Sequence, residues 1–263
     1  MMVRLRRAGI PWFTAAHHLT VDGDERAEAL AFAVGARHHH LYADVLLLHH
    51  GVVPNTQISR LLRVEHDWSD AQLAWHPRRD AFGETSLAGL RNAGDGGAIT
   101  GAIATEATVD WRPLAPPALG RLSSVDRDRL AAASRKSLNV ELRIRPFLDA
   151  LYRPRGWITA PSGDTIVCRC EEVTPGQIRD AAKLGCRGPN QTKFFNRCGM
   201  GPCQGRICGL PVTEILASEL EIDPAVVRAY RVRASSKPVP LAAIAQTNSS
   251  YVGREQDEFA DRS

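Results

Sequence analysis

No cysteine occurs before position 168 or after position 208 of this 263-residue chain. A disulfide framework distributed over the fold is therefore excluded. No apolar run is long enough to span a bilayer, and no charged leader with an apolar core and a cleavage site opens the chain, so neither a membrane helix nor a secretory signal is expected. The net charge is only +4, and the arginines are scattered, which gives nucleic-acid binding little support. The strand, G-x-G-x-x-G and helix that cradle a dinucleotide pyrophosphate are missing. No nucleophile or general base stands in a recognisable catalytic pattern. What remains is a chain with a 44% apolar fraction, sufficient for a core, and one chemically loaded stretch.

That stretch is Val167 to Cys208, VCRCEEVTPGQIRDAAKLGCRGPNQTKFFNRCGMGPCQGRIC, which holds all six cysteines. Cys168 and Cys170 form a C-x-C pair, and 27 residues separate Cys170 from Cys198. Cys203 follows after Gly-Met-Gly-Pro. Four thiolates suit an iron–sulfur core or tetrahedral zinc. A C-x-C pair is tight for chelating one ion, and the glycines of CGMGPC leave room for sulfides and expose backbone N–H groups. The pattern therefore favours a [2Fe–2S] cluster, with zinc, redox-active thiols and plain packing as alternatives. Such thiols need a reduced environment, which predicts a cytoplasmic protein.

Local signals place helices around the cysteines. Thr174 is an N-cap followed by Pro175, with Ile178, Ala181 and Ala182 on the apolar face and Gly185 as the stop. Further helices are expected over Gln191–Asn196, from near Pro202, and from Pro211 with Val212, Ile215, Leu216 and Leu220 inward. The third would set Cys203 at a positive helix end. These helices share few large apolar residues, so folding from Val167 to Arg231 is expected to depend on the bound group.

The remaining chain is less explicit. Ala27–Val34 reads as a strand, Val45–Leu48 as a short buried strand, and Asn55–Leu62 as a short helix or turn. Gly9-Ile10-Pro11 and Asp22-Gly23-Asp24 mark turns, Leu90 begins a brief strand, and the histidines at 17–18, 38–40 and 49–50 lack a ligand spacing. AGDGGAITGA, residues 93–102, could bring a helix N-terminus to a phosphate or ribityl chain, with Gly94, Asp95 and Gly96 at the contact. An ordinary glycine turn is the simpler reading. Thr108, Val109, Asp110, Trp111, Pro113, Pro116 and Pro117 oppose a continuous helix over 104–120. Leu122–Arg155 is helical in character, capped by Ser124 or Asp126, with Leu130, Ala133 and Leu138 on one face.

CRCEEVTPGQIRDAAKLG with NQTKFFNRCGMGPCQGRICG resembles the bacterioferritin-associated-ferredoxin-like [2Fe–2S] domain. The resemblance is to the version fused to alpha-type flavoprotein subunits of amine and amino-acid dehydrogenases, a family with opine oxidase A subunits, hydrogen cyanide synthase B subunits, and proline and hydroxyproline dehydrogenase alpha subunits. It implies Cys168, Cys170, Cys198 and Cys203 as ligands and no assigned role for Cys186 or Cys208. Residues 5–102 resemble the end of a nucleotide-binding insert and the return to an FAD domain, in which Asp95 would contact the flavin cofactor. The missing fingerprint implies an N-terminally truncated member.

The fold expected is therefore α+β: a C-terminal remnant of a two-dinucleotide-fold flavoprotein, then a small all-helical [2Fe–2S]-binding domain. The division is 1–103 partial FAD/NAD(P)-binding region, 104–160 helical connector, 161–234 cluster domain and 235–263 flexible tail. The resemblance implies electron transfer in an FAD- and [2Fe–2S]-dependent complex that oxidises an amine, opine or amino acid beside a flavin-dependent partner subunit. FAD would bind only in an intact or complemented subunit, and the chain alone would be inactive. A non-enzymatic [2Fe–2S] carrier or metal-sensing module is the alternative.

Overall fold

A computed structural model describes residues 2–49, 51–111, 123–161 and 163–246. It divides into two compact units, residues 1–50 and 51–263. Of the expected tail 235–263, residues 247–263 lie outside the described residues, as do the prolines at 113, 116 and 117.

The first unit opens with α1 (Met2–Arg7), followed by β1 (Ala16–Asp22), β2 (Ala29–Val34) and β3 (Arg37–Tyr42). These strands form an antiparallel meander in the order β1-β2-β3. As the middle strand, β2 buries Ala29, Phe32 and Ala33, while β1 and β3 are largely exposed. The expected strand thus forms, two residues shorter at its start. The expected turn at Asp22-Gly23 also forms, with Glu28 N–H donating to Asp22 O at 2.8 Å. Val45–Leu48 is neither a strand nor buried. Residues 45–48 pair with no strand among the described residues, and the outer edges of β1 and β3 take no partner there.

The second unit begins with α2 (Gln57–Leu61) and the antiparallel pair β4 (His66–Ser69) and β5 (Ala74–Pro77). Trp68 and Trp75 face each other across this pair, edge to face at 5.4 Å. No strand starts at Leu90; Arg91 makes a single bridge with Glu84. Gly94–Gly96 forms one 3-10 turn that leads to α3 (Ala102–Trp111).

The helix α3 corrects the expectation of an irregular stretch. Its small residues Ala104 and Ala107 pack against Ala131 and Leu138 of α4 (Ser124–Glu141), and this burial outweighs the weak helix propensities of Thr108 and Val109. The α4 cap is Ser123, which accepts from Asp126 N–H, rather than Ser124 or Asp126. Its buried residues are Ala131 and Leu138, two turns apart, whereas Leu130 and Ala133 face outward. Then come α5 (Arg145–Leu151) and α6 (Gly156–Thr159).

The last part is helical: α7 (Pro175–Lys183), α8 (Pro189–Asn196), α9 (Gly209–Leu220) and α10 (Pro224–Val227). The other three pack around α9, whose Val212, Ile215 and Leu216 are fully buried with Ile178 of α7. Full burial of each such side chain stabilises by roughly 1.5–3 kcal/mol. The architecture is thus mixed α/β with a C-terminal helical domain. No helix among the described residues is long and apolar enough to cross a membrane.

Candidate metal centre

Three short segments bring the cysteines together. The first is a tight reversal closed by a two-way bridge, with Cys168 N–H donating to Val173 O at 3.1 Å and Val173 N–H to Cys168 O at 3.2 Å. It buries Cys168 and leaves Cys170 exposed at its tip. Arg197 ties the reversal to the second segment through a 2.9 Å ion pair with Glu171. The capping box of α7, Thr174 with Gln177, fixes the exit from this reversal as expected.

The second segment follows α8. Arg197 ends that helix in the left-handed conformation, and Cys198 N–H donates to Asn196 Oδ1 at 3.1 Å. The third segment, 201–208, is a run of turns rather than the expected helix. The next helix starts at Gly209, with Cys208 as its N-cap residue. The positive helix end therefore meets Cys208, not Cys203. Gly201 has no substitute here, because a Cβ on it would lie 2.2 Å from Cys170 Cβ.

The sulfurs of Cys168, Cys198 and Cys208 lie within 4.8 Å of one another, and all three residues are buried. Cys170 and Cys203 form a second group at the exposed edge, their side chains hydrogen-bonded. Of the four expected ligands, the structure thus joins Cys168 with Cys198 and Cys170 with Cys203. It adds Cys208, for which no role was expected. The missed signal was the second spacing, C-x4-C from Cys203 to Cys208, repeating that from Cys198 to Cys203. Cys186 is separate: burial raises its thiol pKa, opposed by a hydrogen bond with Thr192.

Each thiol responds to its surroundings. Cys198 is lowered to about 7, first by its hydrogen bond with Cys208, against the opposing effect of burial, with help from Tyr230 and Cys168. Cys208 is raised correspondingly, by Cys198 first and then by burial. For Cys203 burial is the largest influence and pushes upward. The backbone N–H groups of Ile207, Gly205 and Arg206, together with Cys170, bring it below its ordinary value. Such fixed N–H donors stabilise thiolates and the excess negative charge of an iron–sulfur core.

Five converging thiols, amide donors at one and a helix end at another fit a [2Fe–2S] core, which takes four cysteines. The histidine tracts assemble no comparable group among the described residues; His40 instead bonds Asp22 at 2.9 Å. The glycine turn is elsewhere in the second unit. Asp95 Oδ1 accepts from Thr100 N–H at 3.4 Å and from the Thr105 hydroxyl at 3.2 Å, so its carboxylate serves the entry to α3. Gly94 is buried and Asp95 exposed.

Residues 166–218 match the BFD-like [2Fe-2S] binding domain. The opine oxidase A subunit of Agrobacterium tumefaciens (strain Ach5) is 46% identical over 233 residues, covering 86% of this chain and 46% of the relative. Hydrogen cyanide synthase subunit HcnB of Pseudomonas protegens is 32% identical over 177 residues, covering 66% of this chain and 37% of that protein. The chain spans about half the length, or less, of these curated relatives. Among solved structures, L-proline dehydrogenase from P. horikoshii superposes with a TM-score of 0.60 at 15% identity, over 91% of this chain and 46% of that one. That likeness concerns the fold.

Proposed function

We propose that this chain, an opine-oxidase-A-like and HcnB-like flavoprotein segment with a BFD-like [2Fe-2S] binding domain, transfers electrons within an oxidoreductase complex that oxidises an amine, opine or amino acid. The observation that carries this reading is the convergence of Cys168, Cys198 and Cys208 beside the Cys170–Cys203 pair, inside the matched domain. When bound, the cluster supplies one-electron redox chemistry. The chain's own residues hold it, shield its inner side and leave the Cys170 edge open to solvent.

Cys170 and Cys203 form one ligand pair in this proposal, and Cys168 belongs to the other. The spacing and the family resemblance favour Cys198 as its companion. A second reading, favoured by the buried trio and the helix end at Cys208, replaces Cys198 by Cys208. Residues 1–103 are proposed as the remnant of a two-dinucleotide-fold flavoprotein, 104–160 as the connector and 161–234 as the cluster domain. Gly94, Asp95 and Gly96 would meet FAD only in a complete or complemented subunit. The partner proposed is a flavin-dependent subunit that oxidises the substrate, and the six free thiols suit the cytoplasm.

Anaerobic purification followed by iron, sulfide and zinc analysis tests this reading. Two irons and two sulfides per chain are expected, as the cluster formula requires, with a spin-one-half signal on reduction. Stoichiometric zinc without labile sulfide would reject it. Cys198→Ser and Cys208→Ser separate the ligand sets: the ligand variant loses the centre, and the other keeps it.

A further inference from the structure

Tyr230 stands out among the buried polar groups near the thiols. It is 8% exposed, it belongs to the core that contains Cys168, Cys198 and Cys208, and its hydroxyl reaches the Cys198 thiol without completing a hydrogen bond of good geometry there. A buried hydroxyl left with only a poorly aligned acceptor is a place where a bound group can complete its bonding.

The surroundings hold this ring firmly. On one side, Asn190 Nδ2 donates to Ala229 O at 3.3 Å; on the other, Arg231 N–H donates to Asn190 Oδ1 at 2.9 Å. One α8 side chain thus clamps the backbone on both sides of Tyr230. Thr213 of α9 is fully buried and donates to Arg228 O at 2.9 Å, which fixes the approach to it. Gly199, next to Cys198 and at φ +84°, gives the ring room: a Cβ there would lie 2.6 Å from Cζ. The ring also lines a cavity of about 300 Å³ with Trp75, Gln57 and Arg60. The same residue belongs to the core that holds the sulfurs.

Resting on the cluster reading above, we infer that Tyr230 is a positioning residue whose hydroxyl donates to a sulfur of the bound centre on its Cys198–Cys208 side. A donor to a cluster sulfur stabilises the more negative, reduced state and so raises the reduction potential.

The test is potentiometric and spectroscopic, on the full chain purified anaerobically. Tyr230→Phe retains the ring and removes the donor. It is expected to load iron and sulfide like the wild type, with a lower midpoint potential and altered g values in the reduced protein. A tenfold shift of the redox equilibrium, about 59 mV for one electron, is the effect to look for. Replacement of Tyr230 by a ring-fluorinated tyrosine strengthens the donor without changing the packing and should move the potential upward. This second variant decides the matter if the phenylalanine protein does not fold. A loaded cluster whose potential and g values ignore both changes overturns the inference and leaves the cluster reading intact. Absence of iron and sulfide in the wild type overturns both.

Discussion

The turn at residues 93–102 and the turns at 198–208 are both short, glycine-containing and followed by a helix, yet they handle their polar groups in opposite ways. In the first, Asp95 is bonded to Thr100 and Thr105 of its own loop and helix. In the second, thiols crowd against one another, and Tyr230 holds a buried hydroxyl without a well-formed partner. A turn that satisfies itself has little need of a ligand. A buried set of donors and sulfurs that satisfies itself poorly is built around one.

The largest effect should come from breaking the second site. Cys203→Ser removes the thiol favoured by three backbone N–H groups and should reduce bound iron and sulfide at least tenfold. Cys186→Ser, outside the converging five, should leave both unchanged. Equal losses in the two variants, measured on anaerobically purified protein, would dissolve the distinction between site cysteine and packing cysteine.

Removing the cluster comes next. The expected loss of helical order over 167–231 without it can be divided by burial: Ile178, Val212, Ile215 and Leu216 are fully buried apolar side chains, although they share one core with Cys168, Cys198 and Cys208. Hydrogen exchange on the apo protein should therefore show lost protection in 167–173 and 198–208, with α7 and α9 still slow. Uniform loss through α9 would mean that the cluster, not this core, holds the helices.

A smaller effect belongs to the glycine-turn side of the comparison. His66 of β4 donates Nδ1–H to Val64 O at 2.8 Å, and its Nε2 lies 2.9 Å from the Ser59 hydroxyl, which is also bonded to Thr56 O at 3.0 Å. Burial first, and then the Arg60 charge, lower its pKa to about 4. The unfolded imidazole, with its ordinary value near 6.5, takes up its proton earlier as the pH falls. The contribution to stability is therefore complete above about 6.5 and is lost as the pH descends toward 4. Exchange rates in residues 57–77 should rise between pH 7 and 5 beyond the intrinsic pH trend. The rise should be modest because the ring is partly exposed, and His66→Gln should abolish it. An identical pH response in the variant would assign the effect to another group.

What the sequence made legible follows the same division. The α7 cap, its buried face and the α9 core residues could be read directly, because capping and 3.6-residue periodicity are local rules that the packing obeys. The 201–208 turns could not, since Pro202 looks like a helix start, while the chain there is shaped by the approach of Gly201 to Cys170. Cys208 had no expected role as a ligand, because its closeness to Cys168 spans forty residues and depends on how α9 packs; it is buried, as a packing cysteine would be. Val45–Leu48 failed because apolar character alone does not supply a strand partner. The α3 helix was missed because β-branched residues argue weakly against a helix that small alanines can bury.

The smallest expected effect is that of FAD on this chain. Gly94, Asp95 and Gly96 are proposed as flavin contacts, but this sequence does not contain the strand–G-x-G-x-x-G–helix unit that holds the pyrophosphate. The irregular 104–120 stretch no longer counts against binding, since α3 does form over its first part. Two other considerations do. Asp95 Oδ1 already accepts two bonds that orient the carboxylate toward the entry to α3, so the side chain is not free to turn to a ribityl hydroxyl without cost. The remaining contacts would also have to offset the ordering of a long, flexible cofactor by themselves. Isothermal titration of the 263-residue chain with FAD should thus give no saturable heat at micromolar concentrations, and Asp95→Asn should leave the trace unchanged. Micromolar binding that the substitution weakens would show that the glycine turn is an open site after all, and that the contrast with the cysteine turns had been drawn too sharply. Binding that appears only when a polypeptide with the missing fingerprint is added would keep the contrast and make Asp95 one half of a shared site.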